Sequence, residues 1–209
     1  IGTCMTRQLL KTFMTLGVFA LSLNLMACAT ASTKQTGTRV LDPDADDGLG
    51  GTGTESSDVR TIGERMAREI LGIAWPDSGA TPRIAVLPIV NQTRFRVDPK
   101  LLQNKLLKSL VTHAKGKLTF LARDSEQAII QEREKKRSGM YDQGENAPAM
   151  FGADYFLKGE MRSLSKSNTS EVSDYIVYSF QLINTETGAI LWMGDYETKK
   201  AGDTGVVYQ

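Results

Sequence analysis

Cysteine and histidine are nearly missing from this chain of 209 residues, which holds Cys4, Cys28 and, as its one histidine, His113. Both cysteines lie within the first 28 positions, so everything downstream can form neither a disulfide nor a thiolate metal site. A body without thiols suits an oxidising compartment, provided that its apolar core is large enough to need no staple. No phosphate loop and no Gly-x-Ser-x-Gly elbow occur. Carboxylate pairs of the hydrolase kind stay open, but no spacing singles one out. His113 falls late in a basic amphipathic segment, where an imidazolium complements a helix C-terminus, so a structural role is expected of it. Charge of one sign is missing too: 25 basic against 24 acidic residues give a net of +1, which leaves no nucleic-acid footprint. The expectation is a protein that is not an enzyme and carries no cofactor or metal.

What the chain does have begins at its N-terminal end. Arg7 and Lys11 precede an uncharged apolar run from Phe13 to Met26, followed by Ala27 and Cys28. At about 14 residues the run falls short of the ~20 that span a bilayer, so it reads as a secretory signal. A spanning helix, or an ordinary signal with a chance cysteine, are the alternatives. Leu25-Met26-Ala27-Cys28 resembles the lipobox of bacterial lipoproteins, which implies cleavage between Ala27 and Cys28 and a lipid on the Cys28 sulfur. Ala29, unlike the aspartate that resembles an inner-membrane retention signal, implies the outer membrane. Met5 is the expected start of translation. Without Arg7 and Lys11 the mature chain holds 23 basic and 24 acidic residues, a net of −1.

Residues 28–56 are rich in Ser, Thr, Gly and Asp and poor in aliphatic side chains. Such a stretch cannot bury enough apolar surface to offset its chain entropy, and it reads as a disordered tether. Fully extended it would reach about 90 Å at ~3.3 Å per residue. Gly48-Leu49-Gly50-Gly51-Thr52-Gly53 has the letters of a dinucleotide fingerprint but lacks the strand that must lead into it, so a glycine hinge is expected. Asp42, Asp44, Asp46 and Asp47 resemble a calcium loop, but Asp47 and Gly53 stand where that loop needs glycine and glutamate. A solvated acidic run is the expectation.

From residue 57 to 209 the pattern is that of one α/β domain. Val59, Ile62, Met66 and Ile70 recur at helical spacing behind Ser57 as N-cap. Arg83–Ile89 is a continuous apolar run suited to a buried strand as far as Pro88. Asn91–Arg96 reads as a polar loop. Asp98 and Pro99 then open a second helix carrying Leu102, Leu106 and Leu110. Lys117–Leu121 reads as a short strand, and Asp124 caps a third helix running to about Arg137. From Tyr155 the period changes to two, giving strands over Tyr155–Ser163, Asp174–Ile183 and Ile190–Thr198 with a tight turn at Asn184–Gly188. The sum is a single mixed sheet with the Arg83 strand near its centre and helices mainly on one face. Arg94-Phe95-Arg96, in a loop after a buried strand, is the candidate partner contact, because arginine and aromatic side chains are enriched in interface hot spots.

Several pieces together resemble the LpoB-like penicillin-binding-protein activators. They are the lipobox, the tether, Gly50-Gly51-Thr52-Gly53 ahead of the first helix, and Arg83–Pro88 leading to Asn91-Gln92-Thr93. Phe120-Leu121-Ala122-Arg123-Asp124 and the Asn184–Trp192 hairpin add to them. The resemblance implies a domain similar to the N-terminal domain of TolB, held on the outer membrane facing the periplasm. It implies a monomer that docks on a class A penicillin-binding protein, a bifunctional peptidoglycan synthase, and stimulates it without catalysing anything itself. One departure is that the tether is acidic and glycine-rich and has no proline-rich spacer. An envelope lipoprotein with another partner or a glycan ligand, or a component resembling the curli secretion apparatus, are the alternatives.

Overall fold

The computed structural model describes residues 37–45, 47–76, 79–142 and 149–203. Ala27 and Cys28 lie outside the described residues. By contacts the chain divides after Val40, and all regular elements among the described residues belong to the unit that starts at Leu41. They are helix α1 (Ser56–Leu71), strands β1 (Arg83–Val86) and β2 (Val90–Gln92), helix α2 (Pro99–Ala114), strand β3 (Thr119–Leu121), helix α3 (Glu126–Arg137), and strands β4 (Tyr155–Ser167), β5 (Glu171–Asn184) and β6 (Ile190–Asp203).

The six strands form one mixed sheet in the order β3-β1-β4-β5-β6, with β2 also paired to β4. β1 runs parallel to both β3 and β4, with Ile84 opposite Phe120 on one side and Tyr155 on the other. The last three strands are an antiparallel meander. The true centre is β4, which carries β1 and β2 along one edge and β5 along the other. Pairing does not end at Pro88, and Asn91 does not begin a loop as its polar neighbours suggest. Pro88 has no N–H to give and interrupts the ladder, but Leu87 still donates to the Leu157 carbonyl at 2.9 Å. The chain rejoins the same edge of β4 at Val90–Gln92, opposite Glu160–Arg162. Three residues carry too little periodicity to announce a strand.

Alternation builds the core. Ile176, Tyr178, Phe180 and Leu182 of β5 point to one face and are essentially unexposed. Leu157 and Met161 of β4 and Ile84 and Val86 of β1 join them. Against this face lie Val59, Ile62, Met66 and Ile70 of α1 and Leu102, Leu106 and Leu110 of α2. Two helices, not three, carry buried residues. α3 follows a short 3-10 turn at Arg123–Ser125 and buries none of its side chains.

Local signals set the helix ends. Asp98 accepts from the Lys100 amide at 2.9 Å, with Pro99 in the first turn, as its residue types require. α2 closes through Lys115 and Gly116, both at positive φ. α1 starts earlier than expected. Its N-cap is Glu55, not Ser57, and Asp58 reaches back to the Glu55 amide at 2.9 Å. A residue three positions into the helix thereby does part of the capping.

The α1–α2 crossing is close because of Gly63. A Cβ at that position would lie 3.3 Å from the backbone of Lys105 and Leu106. Replacing Gly63 by leucine should therefore lower stability by about 1–3 kcal/mol through overpacking. Gly152→Ala, where added bulk meets nothing, should stay within about 0.5 kcal/mol. Urea unfolding of the two variants beside the parent measures both.

Candidate docking surface

The loop from Asn91 to Val97 is held open by its own side chains. Asn91 donates through Nδ2 to the carbonyls of Phe95 (2.9 Å) and Val97 (3.1 Å), and its Oδ1 accepts from the Thr93 amide (2.9 Å). That scaffold turns Phe95 inward. Its ring is 5% exposed and belongs to the core cluster. Arg94 lies over the ring, 4.4 Å from its centroid, an arrangement that adds cation–π attraction to packing.

Arg94 does not end in solvent. Its guanidinium grips Asp174, with Nε donating to Oδ1 at 2.8 Å and Nη2 to Oδ2. Asp174, on β5, has no exposed surface. Thr52 and Ser165 each donate a hydroxyl to the same carboxylate, and Arg94 Nη2 also reaches Thr52 Oγ1 at 3.3 Å. A buried carboxylate requires such partners, since an unpaired one would cost several kcal/mol. The Arg94 hydrogen bonds hold its pKa at about 2 against the upward pull of burial, helped by Ser165 and Thr52. One side chain thus ties together β4, β5, the Asn91–Val97 loop and the stretch before α1.

Residues 51–55, assigned to the tether on composition, are packed on the domain. Thr52 is 2% exposed. Thr54 Oγ1 lies 2.6 Å from the buried Tyr178 hydroxyl, whose pKa burial pushes up. Lys200 of β6 donates to the Gly53 carbonyl (3.2 Å), to Glu55 (2.8 Å) and to Asp58 (2.7 Å). Burial alone would lower the Lys200 pKa, but its bonds to Asp58 and Glu55 raise it overall. Ser56 Oγ donates to the Pro43 carbonyl at 2.6 Å and Arg60 pairs with Asp44 at 2.7 Å, so contact with the domain extends back to the acidic run. Glycines and short hydroxylic side chains have no burial signature of their own. They are retained mainly by Asp174, Tyr178 and Lys200, polar partners that lie 122 to 147 positions away.

The three residues expected to form one contact therefore part company. Phe95 is core, Arg94 is half-exposed and clamped, and Arg96 is exposed. His113 is exposed at the end of α2, with its Nδ1 2.8 Å from the Ser109 carbonyl. Among the described residues no group of three His, Cys, Asp or Glu side chains could hold a metal, and no helix is long and apolar enough to cross a membrane.

A mixed sheet backed by a helix pair, with a preformed loop at one edge, makes a small α/β domain. A family model described as peptidoglycan-synthase activator LpoB matches residues 58–198, which is more than half of the chain. The protein belongs to that family of peptidoglycan-synthase activators. Among solved structures, the LpoB C-terminal domain from Salmonella enterica is 16% identical with a TM-score of 0.42, covering 68% of this chain and 99% of that one. The same domain from Escherichia coli is 17% identical at the same TM-score and the same coverage. The NMR structure of E. coli LpoB is 16% identical with a TM-score of 0.39, covering 84% of this chain and 87% of that one. No curated protein sequence matches.

Because the folded pKa of Asp174 lies below its unfolded value of ~3.9, the stability it contributes is complete above about pH 4 and is lost as pH falls toward 2. Arg94→Ala should destabilise the domain by about 2–3 kcal/mol at pH 7. That is less than for a fully enclosed pair, because the guanidinium is half-exposed. The gap between parent and variant should narrow as pH falls from 4 to 2. Denaturant unfolding at several pH values reads both effects.

Proposed function

We propose that this chain is an outer-membrane-anchored lipoprotein that binds a class A penicillin-binding protein in the periplasm and stimulates its synthesis of peptidoglycan. The observation that carries the reading is the match of the activator family model across α1 to β6. Cys28 is the proposed lipid attachment site, on the strength of Leu25-Met26-Ala27 before it. The domain acts as a monomer and without chemistry of its own. It favours the active conformation of the synthase, and it shifts that population only as far as its affinities for the two states differ.

The contacts that Pro43, Asp44 and residues 52–55 make with the domain support a shorter working tether than composition suggests. Residues 29–42 then remain between lipid and domain, at most about 46 Å at ~3.3 Å per residue. The synthase must meet the domain within that distance of the membrane. For the contact itself we propose the exposed rim of the Asn91–Val97 loop, with Arg96 touching the partner and Arg94 holding the loop in shape.

The chain lacking residues 1–40, which keeps Thr52 on Asp174, should raise glycan polymerisation and crosslinking by a cognate synthase. Unchanged rates at saturating protein would refute the activator reading. In the same assay Arg96→Glu should weaken half-maximal stimulation by tenfold or more with an unaltered unfolding midpoint. Phe95→Ala is unsuitable for that purpose, since it removes a core side chain. A second measurement addresses the anchor: Cys28→Ala should move the protein from the outer-membrane fraction to the soluble periplasm, and retention in the membrane fraction would rule out Cys28 as the attachment site.

A further inference from the structure

α2 contains Lys100, Lys105, Lys108 and His113 and no acidic residue. The other two helices pair their charges internally, Arg65 with Glu69 and Arg68 with Glu64 on α1, and Lys136 with Glu132 on α3. Among the described residues no carboxylate stands within ion-pairing distance of Lys105 or Lys108. Both lysines line a cleft of about 220 Å³ between α1 and α2, together with Arg60, Ser109, Thr112 and His113. Glu64 is the one acid on its wall, and it leans toward Arg68 at 3.9 Å. The cleft is thus a set of cations and hydroxyl donors with an excess of positive charge.

A carboxylate already stands at its rim. Asp44 pairs with Arg60 at 2.7 Å, and the Ser56 hydroxyl fixes the neighbouring Pro43 carbonyl at 2.6 Å. Asp44 belongs to the run Asp42-Pro43-Asp44-Ala45-Asp46-Asp47, which carries four acids in six residues. The acidic run and the basic cleft are therefore covalently adjacent, oppositely charged and joined by one ion pair. Short connections of this kind raise the effective concentration of the attached segment to about the millimolar range, enough to keep a weak electrostatic site filled.

We propose that the α1–α2 cleft is a docking site for a carboxylate-rich peptide, with this chain's own acidic run, seated at the rim through Asp44 on Arg60, as its tethered occupant. Arg60, Lys105 and Lys108 supply the charge, and Ser109 and Thr112 supply hydrogen bonds. Exposed charges attract through solvent, so binding at the cleft is weak, salt-sensitive and exchangeable. An acidic segment on another protein would compete for the same cations once the resident run is displaced. The cleft is separate from the Asn91–Val97 loop, and the inference does not depend on which synthase, if any, that loop meets.

A fluorescently labelled peptide with the sequence of residues 41–49 tests this, titrated by anisotropy into the full chain kept in non-ionic detergent. Against a chain carrying Asp42→Asn, Asp44→Asn, Asp46→Asn and Asp47→Asn, the peptide should bind at least tenfold more tightly than against the parent, because the resident is gone. Adding Lys105→Glu and Lys108→Glu to that variant should abolish binding while the circular dichroism spectrum stays native, and raising salt from 50 to 500 mM should weaken it. Equal binding to parent and Asn variant would overturn the proposal, as would binding that survives the lysine reversals. An Asn variant that ignores the peptide but sediments with phosphatidylglycerol vesicles would overturn it too, and would assign the cleft to a membrane surface.

Discussion

One buried carboxylate sets the geometry of this domain at its most irregular point. Asp174 stands at the start of the buried β5 row, ahead of Ile176, Tyr178, Phe180 and Leu182, and it stays charged because Arg94, Thr52 and Ser165 all donate to it. Arg94 comes from a polar loop, Thr52 from a glycine-rich strap and Ser165 from the exposed end of β4. A hydrophobic residue in place of Asp174 would pack the sheet but would leave those three donors without their shared acceptor. Buried polar groups of this kind trade little net stability for definite placement, because each donor has one acceptable position.

A second node repeats the logic with the charges exchanged. Lys200 reaches the Gly53 carbonyl, Glu55 and Asp58, fastening the strap and the first turn of α1 to β6. Between the two nodes the strap has little freedom, and α1 is held by its N-terminus as well as by its apolar face. The helix pair itself depends on contact and shape: Gly63 allows the backbones to approach, and the leucine row of α2 meets α1 and the sheet. Dispersion and apolar burial supply the bulk of the cohesion, while the two polar nodes decide where the strap and loop end up.

For a member of the activator family, that division of labour separates two surfaces. The Asn91–Val97 loop stands at the sheet edge, shaped from inside by Phe95 and Arg94 and showing Arg96 to solvent. The α1–α2 cleft stands behind the sheet, basic and adjoined by the chain's own acids. A regulator that works by binding gains from rigid presentation of this kind, since less ordering remains to be done at the moment of contact.

The regular elements were legible because their causes are local. Asp98-Pro99 starts α2, the three-and-four spacing of Val59 to Ile70 makes α1, and the alternation through Ile176 to Leu182 makes β5 with one face buried. The activator family was legible too, from short motifs spread along the chain. What no local pattern could give was the partnership of distant polar residues. Thr52 reads as part of a glycine hinge, Arg94 as a surface contact and Asp174 as the start of a strand until the fold brings them to one point. Asn91 looks like a loop residue until the edge of β4 offers it a ladder. The sequence by itself determined the helices and the longer strands and which face of each is apolar, since those follow from the periodicity of neighbouring side chains. Only the tertiary structure decided that the glycine-rich strap is part of the domain and that Phe95 lies inside it, because the hydrogen bonds and contacts that hold them cross the whole length of the chain.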